Sequence, residues 1–108
     1  MTKFEKALEL SDEDFRRLCG FTKKTMLAMV AVLRVAYAAK HKRRSRHSKL
    51  DVADMLMLAC KYWREYVIFF SLANEYDIAE STAHDIIKWV ENVLIKNGKF
   101  GLPGKKNY

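Results

Sequence analysis

The chain has 108 residues and a formal net charge of +7, and half of its residues are hydrophobic. This length suits one domain with a modest core, and the apolar content excludes a disordered chain. The single proline and three of the four glycines lie at or after Gly98, and alternating strand patterns are scarce. The sequence therefore predicts an all-α domain.

The first helices are predicted from capping residues and apolar spacing. Residues 3–9 are compatible with a short helix. Ser11 is followed by three acidic residues, which favour a helix start, and the predicted helix turns Phe15 and Leu18 inward. Thr22 is the predicted cap of a longer helix to about residue 39, whose apolar positions follow the three-four spacing of a buried face.

Asp51 is the predicted cap of a further helix, to about residue 66. Its apolar face is so wide that this helix is expected at the centre of the bundle. Helices over about 68–76 and 80–97 complete a small five-helix domain at residues 1–97, and residues 98–108 are interpreted as a linker or tail. The aromatic residues between Tyr62 and Phe70 favour a core and helix-junction role over a base-stacking platform.

The stretch from Leu72 to Ile87 reads LANEYDIAESTAHDII and breaks one helix shortly before another begins. Its apolar positions on both sides of the break, with small Ala73 between them, have the spacing of a helix-turn-helix. Asp77 stands where glycine is commonest and tolerates a left-handed backbone, whereas Ala79 stands at the cap position and cannot cap. An ordinary helical corner is the alternative interpretation.

If the unit is a helix-turn-helix, the last helix is its recognition helix. The residues expected to face a DNA groove are Glu80, Ser81, Thr82, His84, Asp85 and Lys88. The hydroxyls of Ser81 and Thr82 can hydrogen-bond to phosphates or bases, and His84 can donate to a guanine edge or a phosphate. The carboxylates of Glu80 and Asp85 either accept from the cytosine amino group or repel DNA and so narrow the choice of binding site. For His84, a solvent-exposed side chain without a ligand is the alternative.

All of the excess charge lies in residues 21–49, which hold nine Lys and Arg and no acid. Within this part, residues 40–49 form a basic segment, KHKRRSRHSK. The residues expected to contact phosphates are Lys40, Lys42, Arg43, Arg44, Arg46 and Lys49. Each neutralised phosphate releases condensed counterions, so the favoured partner is double-stranded DNA. A solvated loop without a partner is the alternative, and a membrane surface is disfavoured because the segment lacks apolar anchors.

Several other functions find no support in the sequence. No signal peptide or membrane-spanning run is visible, and Cys19 and Cys60 are expected to be buried, reduced thiols of a cytoplasmic protein. The histidines and cysteines lack metal-ligand spacing, no phosphate-binding glycine loop is present, and Ser81 and Thr82 lack a histidine-carboxylate partner. We expect no cofactor, no metal and no catalytic residue.

Four pieces of the chain resemble the N-terminal helix-turn-helix region of insertion-sequence transposases of the DDE superfamily. An opening helix pair reads LSDEDFRRLCGFTKKTM, and a basic segment with its following helix reads KHKRRSRHSKLDVADMLMLACKYWREY. The helix-turn-helix reads IFFSLANEYDIAESTAHDII, and the junction toward a catalytic domain reads LPGKK. Together they span nearly the whole chain.

The resemblance implies a sequence-specific DNA-binding module that recognises the terminal inverted repeats of a bacterial mobile element, in the cytoplasm and associated with the nucleoid. It implies a catalytic part, in cis or in trans, that holds divalent metal on three carboxylates. That part is expected to lie outside this chain, so the chain itself is not expected to be an enzyme. Two alternatives are a stand-alone helix-turn-helix regulator and a protein-interaction module without nucleic-acid binding. Whether the chain forms a homo-oligomer on DNA is left open.

Overall fold

The computed structural model describes residues 2–40, 50–65 and 68–98. These residues form six helices, which are α1 (Lys3–Leu8), α2 (Asp12–Cys19), α3 (Lys23–Lys40), α4 (Val52–Glu65), α5 (Phe69–Tyr76) and α6 (Glu80–Asn97). The all-α prediction is confirmed, and the described ranges contain no strand. The short N-terminal helix forms as well, so six helices stand where five were counted from the sequence.

The predicted caps are present at the starts of three helices. The Ser11 hydroxyl accepts from the amide of Asp14 at 3.2 Å, and the Thr22 hydroxyl accepts from the amide of Thr25 at 3.2 Å. Asp51 accepts from the amide of Ala53, also at 3.2 Å. Each bond satisfies an amide that has no partner within its own helix, which fixes where these helices begin.

Helix α4 is the centre of the bundle, as its wide apolar face predicts. All residues from 52 to 60 are buried, and α4 packs against each of the other five helices. Helix α4 also contains a buried carboxylate, Asp54. It accepts a hydrogen bond from the amide of Phe4 at 3.1 Å and so connects α1 to the core. Cys19 and Cys60 are free and buried, so the predicted burial of both thiols is confirmed.

Two apolar residues expected in the core lie at the surface. Leu18 is 48% exposed, and the buried residues of α2 are Phe15 and Cys19. Phe15 and Cys19 are four residues apart and face the bundle. Leu18 therefore lies at the edge of this buried face, where α2 is open to solvent. Phe70 is 60% exposed at the start of α5, whereas Phe69 packs against the core.

A bidentate ion pair connects α3 to the start of α4. Both guanidinium Nη atoms of Arg34 donate to the Asp51 carboxylate, at 3.2 and 3.3 Å. Partial burial raises the pKa of Asp51, but the hydrogen bonds from Arg34 and from the amide of Ala53 outweigh it and hold that pKa below its usual range. The pair connects two helices that both pack against α6. Among the described helices, none combines the length and the apolar character needed to cross a membrane.

Candidate nucleic-acid interface

Helices α5 and α6 are joined by a turn whose backbone is fixed by Asp77. This residue adopts the left-handed conformation predicted for it, with φ 56° and ψ 50°. Its amide donates to the carbonyl of Asn74 at 3.3 Å, and the amide of Ile78 donates to the carbonyl of Ala73 at 2.9 Å. These two bonds form a Schellman motif, which satisfies carbonyls at the end of α5 and sends the chain sharply into α6.

The two helices meet through the apolar residues that the sequence pattern selects. Leu72 and Ala83 are fully buried, and Ala73, Tyr76 and Ile86 are nearly so. Ala73 and Ala83 thus place two small side chains among these buried residues. This packing, with a turn of three residues between helices, is that of a helix-turn-helix unit. The unit is held on the bundle because α6 also packs against α3 and α4.

The first two turns of α6 present a polar outer face. The six predicted recognition residues, Glu80, Ser81, Thr82, His84, Asp85 and Lys88, are all exposed. The residues between them, Ala83, Ile86 and Ile87, are buried against the bundle. One face of α6 is therefore anchored in the core while the other offers hydroxyl, imidazole, carboxylate and ammonium groups to solvent. Ala79 makes no side-chain bond at the start of α6, as its side chain predicts.

His84 is positioned by an aromatic contact that the sequence pattern did not reveal. Its ring meets the ring of Phe69 edge to face, with centroids 5.2 Å apart, and Phe69 is stacked on Tyr62 at 5.0 Å. The Nδ1 atom of His84 lies 3.7 Å from Oδ1 of Asp85. The imidazole is thus supported from α5 and α4, although nearly half of it is exposed. No pattern in the sequence connects positions 62, 69 and 84, because these residues come together only when α4, α5 and α6 pack against one another.

Two tryptophans attach the later turns of α6 to the bundle. The indole Nε1 of Trp63 donates to Oε2 of Glu91 at 2.7 Å. Trp89 is half-buried and meets Tyr37 of α3 edge to face, with ring centroids 6.0 Å apart. These contacts fix the axis of α6 relative to α3 and α4, so its outer face has a defined orientation.

The remaining predicted site residues belong to the basic segment. Lys40 is the last residue of α3. The other five lie outside the described residues: Lys42, Arg43, Arg44, Arg46 and Lys49. Their assignment to phosphate contacts stays a prediction. Within the described part of the chain, no cluster of three or more His, Cys, Asp or Glu side chains is arranged to hold a metal ion.

Comparison with known proteins matches residues 48–100 to the family of the helix-turn-helix of DDE superfamily endonucleases. Over 104 residues the chain is 36% identical to a probable transposase for insertion sequence element IS702 from Microchaete diplosiphon. The alignment covers 96% of this chain and 37% of that transposase. No solved structure matches the chain. Residues 48–100, which contain the α5–turn–α6 unit, therefore belong to the helix-turn-helix family of the DDE superfamily endonucleases.

Proposed function

We propose that this chain is the DNA-binding module of a transposase and that it recognises the terminal inverted repeats of a mobile element. The observation that carries the proposal is the outer face of α6. Residues 80–88 expose six polar side chains on a helix whose opposite face is fixed in the core. A helix presented in this way fits the major groove, where base edges offer a distinct donor and acceptor pattern.

In this proposal the residues of α6 divide the work by their chemistry. Thr82 and His84 lie in the first turns and read base edges or nearby phosphates. Ser81 and Lys88 contact phosphate oxygens, while Glu80 and Asp85 either accept from cytosine or exclude sequences that place a phosphate beside them. The contact of His84 with Phe69 supports base reading by this residue, because a side chain of fixed orientation discriminates between bases better than a mobile one.

The basic segment at residues 40–49 is proposed to contact the phosphate backbone. It supplies six Lys and Arg without any acid. Phosphate contacts of this kind give affinity and register but little sequence preference. The segment begins at Lys40, the last residue of α3, and α3 packs against α6. The proposed phosphate contacts therefore begin on a helix adjoining the reading helix.

The alignment with the probable IS702 transposase covers 37% of that protein. The catalytic part of the proposed transposase is assigned to sequence outside this chain. The domain that binds DNA is proposed to span residues 1–97. Gly98 supports this boundary, because it ends α6 in a left-handed conformation with φ 76°. Residues 98–108 are then the linker toward the catalytic part, and association of several copies on DNA is part of the same proposal.

A binding titration on two duplexes tests the proposed function. One duplex carries the terminal repeat of the element that encodes the chain, and the other carries a scrambled sequence of the same length and composition. Preference for the terminal repeat that persists when salt is raised supports end recognition by α6. Equal and salt-sensitive binding to both duplexes would show that the chain contacts phosphates without recognising the terminal repeat. Binding to neither duplex would contradict the proposal.

A further inference from the structure

A concave basic surface lies apart from the helix-turn-helix, where α2, the start of α3 and the end of α4 meet. Its basic lining residues are Arg16, Arg17, Lys23, Lys24 and Arg64. Two acidic residues, Asp12 and Glu13, also line it, so the concavity has an excess of three positive charges. The five basic residues come from three helices, and the sequence does not mark them as a group.

The basic residues of this surface are only partly compensated by the protein. Lys23 donates to the carbonyl of Leu10, and its Nζ lies 3.6 Å from Oδ1 of Asp12. The side chains of Arg16, Arg17 and Lys24 are exposed and make no hydrogen bond or ion pair with any described residue. Three cations therefore share one concavity without an anionic partner in the described part of the chain.

The position of Lys24 indicates that the helix dipoles do not account for all of the positive charge in this concavity. Arg16 and Arg17 occupy the last turn of α2, where the helix dipole favours cations. Lys24 occupies the first turn of α3, which contains no acid and where the dipole opposes a cation. Such a lysine is unfavourable in the isolated protein, and an anion bound in the concavity removes this repulsion.

The last turn of α4 places this surface beside the reading helix. Trp63 faces α6 and donates to Glu91, while its neighbour Arg64 faces α2 and donates from Nη2 to the carbonyl of Arg17 at 2.8 Å. Consecutive residues of a helix point about 100° apart, and a helix with its side chains is about 10–12 Å across. The concavity and α6 therefore lie on adjoining sides of α4.

We propose that Arg16, Arg17, Lys24 and Arg64 form a second nucleic-acid contact surface, which binds the phosphodiester backbone of DNA beside the part that α6 reads. This inference rests on the proposed DNA-binding function. The surface contributes affinity and register without reading sequence, because its groups are cations without a base-specific arrangement. It extends the proposed interface from α6 and the basic segment to α2 and α3.

Paired charge-neutralising variants test the proposal. The double variant Arg17→Gln with Lys24→Gln removes two charges from the concavity, and both side chains lack a described partner, so folding is expected to be retained. The double variant Lys6→Gln with Lys96→Gln removes two exposed charges elsewhere and is the matched control. Affinity for the terminal-repeat duplex and for the scrambled duplex is measured against salt, and circular dichroism melting checks the fold of each variant.

The slope of log affinity against log salt is expected to fall by about 1.8 in the concavity variant, at roughly 0.9 for each lost phosphate contact, and equally on both duplexes. The control is expected to keep the wild-type slope. Equal slopes for the two variants on DNA that the wild-type chain binds would overturn this inference alone. A wild-type chain that binds neither duplex would overturn the proposed function, and the inference with it. If only the concavity variant loses binding to anionic phospholipid vesicles while its DNA binding is unchanged, the surface belongs to a membrane and the inference is wrong.

Discussion

Replacing Gly20 with alanine tests the contact that holds the end of α2 on α4. Gly20 has φ 88°, a left-handed conformation that costs an L-residue about 1–2 kcal/mol. A Cβ at this position would lie 2.7 Å from Cδ of Arg64, so the arginine side chain would have to move. Its guanidinium would then lose the 2.8 Å hydrogen bond to the carbonyl of Arg17.

Two contributions set the expected size of the effect. The backbone strain costs about 1–2 kcal/mol, and a hydrogen bond from a charged donor contributes about 1.5–3 kcal/mol, with the lower end applying to exposed Arg64. We therefore expect Gly20→Ala to lower the free energy of unfolding by about 2–4 kcal/mol. For a domain of this size each kcal/mol lowers Tm by about 4–8 °C, so the loss is easily measured by thermal melting.

Gly98 supplies a matched control because it has a similar left-handed backbone and an empty surrounding. Its φ is 76°, and, apart from its chain neighbours, no described residue has an atom within 4 Å of the position that a Cβ would occupy. Gly98→Ala should therefore cost only the backbone strain, about 1–2 kcal/mol. In an Arg64→Ala background the cost of Gly20→Ala should fall to the same level. Equal losses for the two glycines in the wild-type background would refute the assigned contact.

Three further predictions concern DNA binding and the thiols. Replacing Thr82 and His84 with alanine should reduce the preference for the terminal repeat by about 1–3 kcal/mol for each base contact, measured by competition between duplexes; an equal loss on all sequences would argue against base reading. Neutralising the four basic residues within 42–46 should lower the log–log salt slope by about 3–4, and an unchanged slope would remove the segment from the interface. Burial raises the pKa of Cys19 to about 11 and also raises that of Cys60. At pH 8 about one Cys19 in a thousand is then a thiolate, so a thiol reagent should modify the native chain slowly and the unfolded chain quickly; rapid native reaction would contradict the burial of these residues.

Features decided by local chemistry could be predicted from the sequence. Ser11, Thr22 and Asp51 cap helices because their side-chain oxygens reach amides two or three residues away, a range that the sequence alone defines. The left-handed turn at Asp77 follows from a similar local preference of a short polar side chain. The outer face of α6 could be predicted because its buried residues repeat at helical spacing over several turns.

Features decided by tertiary neighbours could not be predicted in the same way. Leu18 has apolar spacing relative to Phe15, but α2 spans only eight residues, so the pattern does not settle which of its sides is covered. The support of His84 by Phe69 depends on the crossing of α5 and α6. The basic surface on α2, α3 and α4 gathers residues separated by up to 48 positions, and no local pattern brings them together.

Amide chemical-shift mapping by NMR is the most direct test of the proposed contact between the outer face of α6 and DNA. The labelled chain is titrated with the terminal-repeat duplex, and with the scrambled duplex as the control. We expect the largest shifts that are specific to the terminal repeat at residues 80–88, with smaller changes in the basic segment that both duplexes produce. If the amides of α6 keep their positions while another surface shifts on the terminal repeat, the assignment of α6 as the recognition helix is wrong.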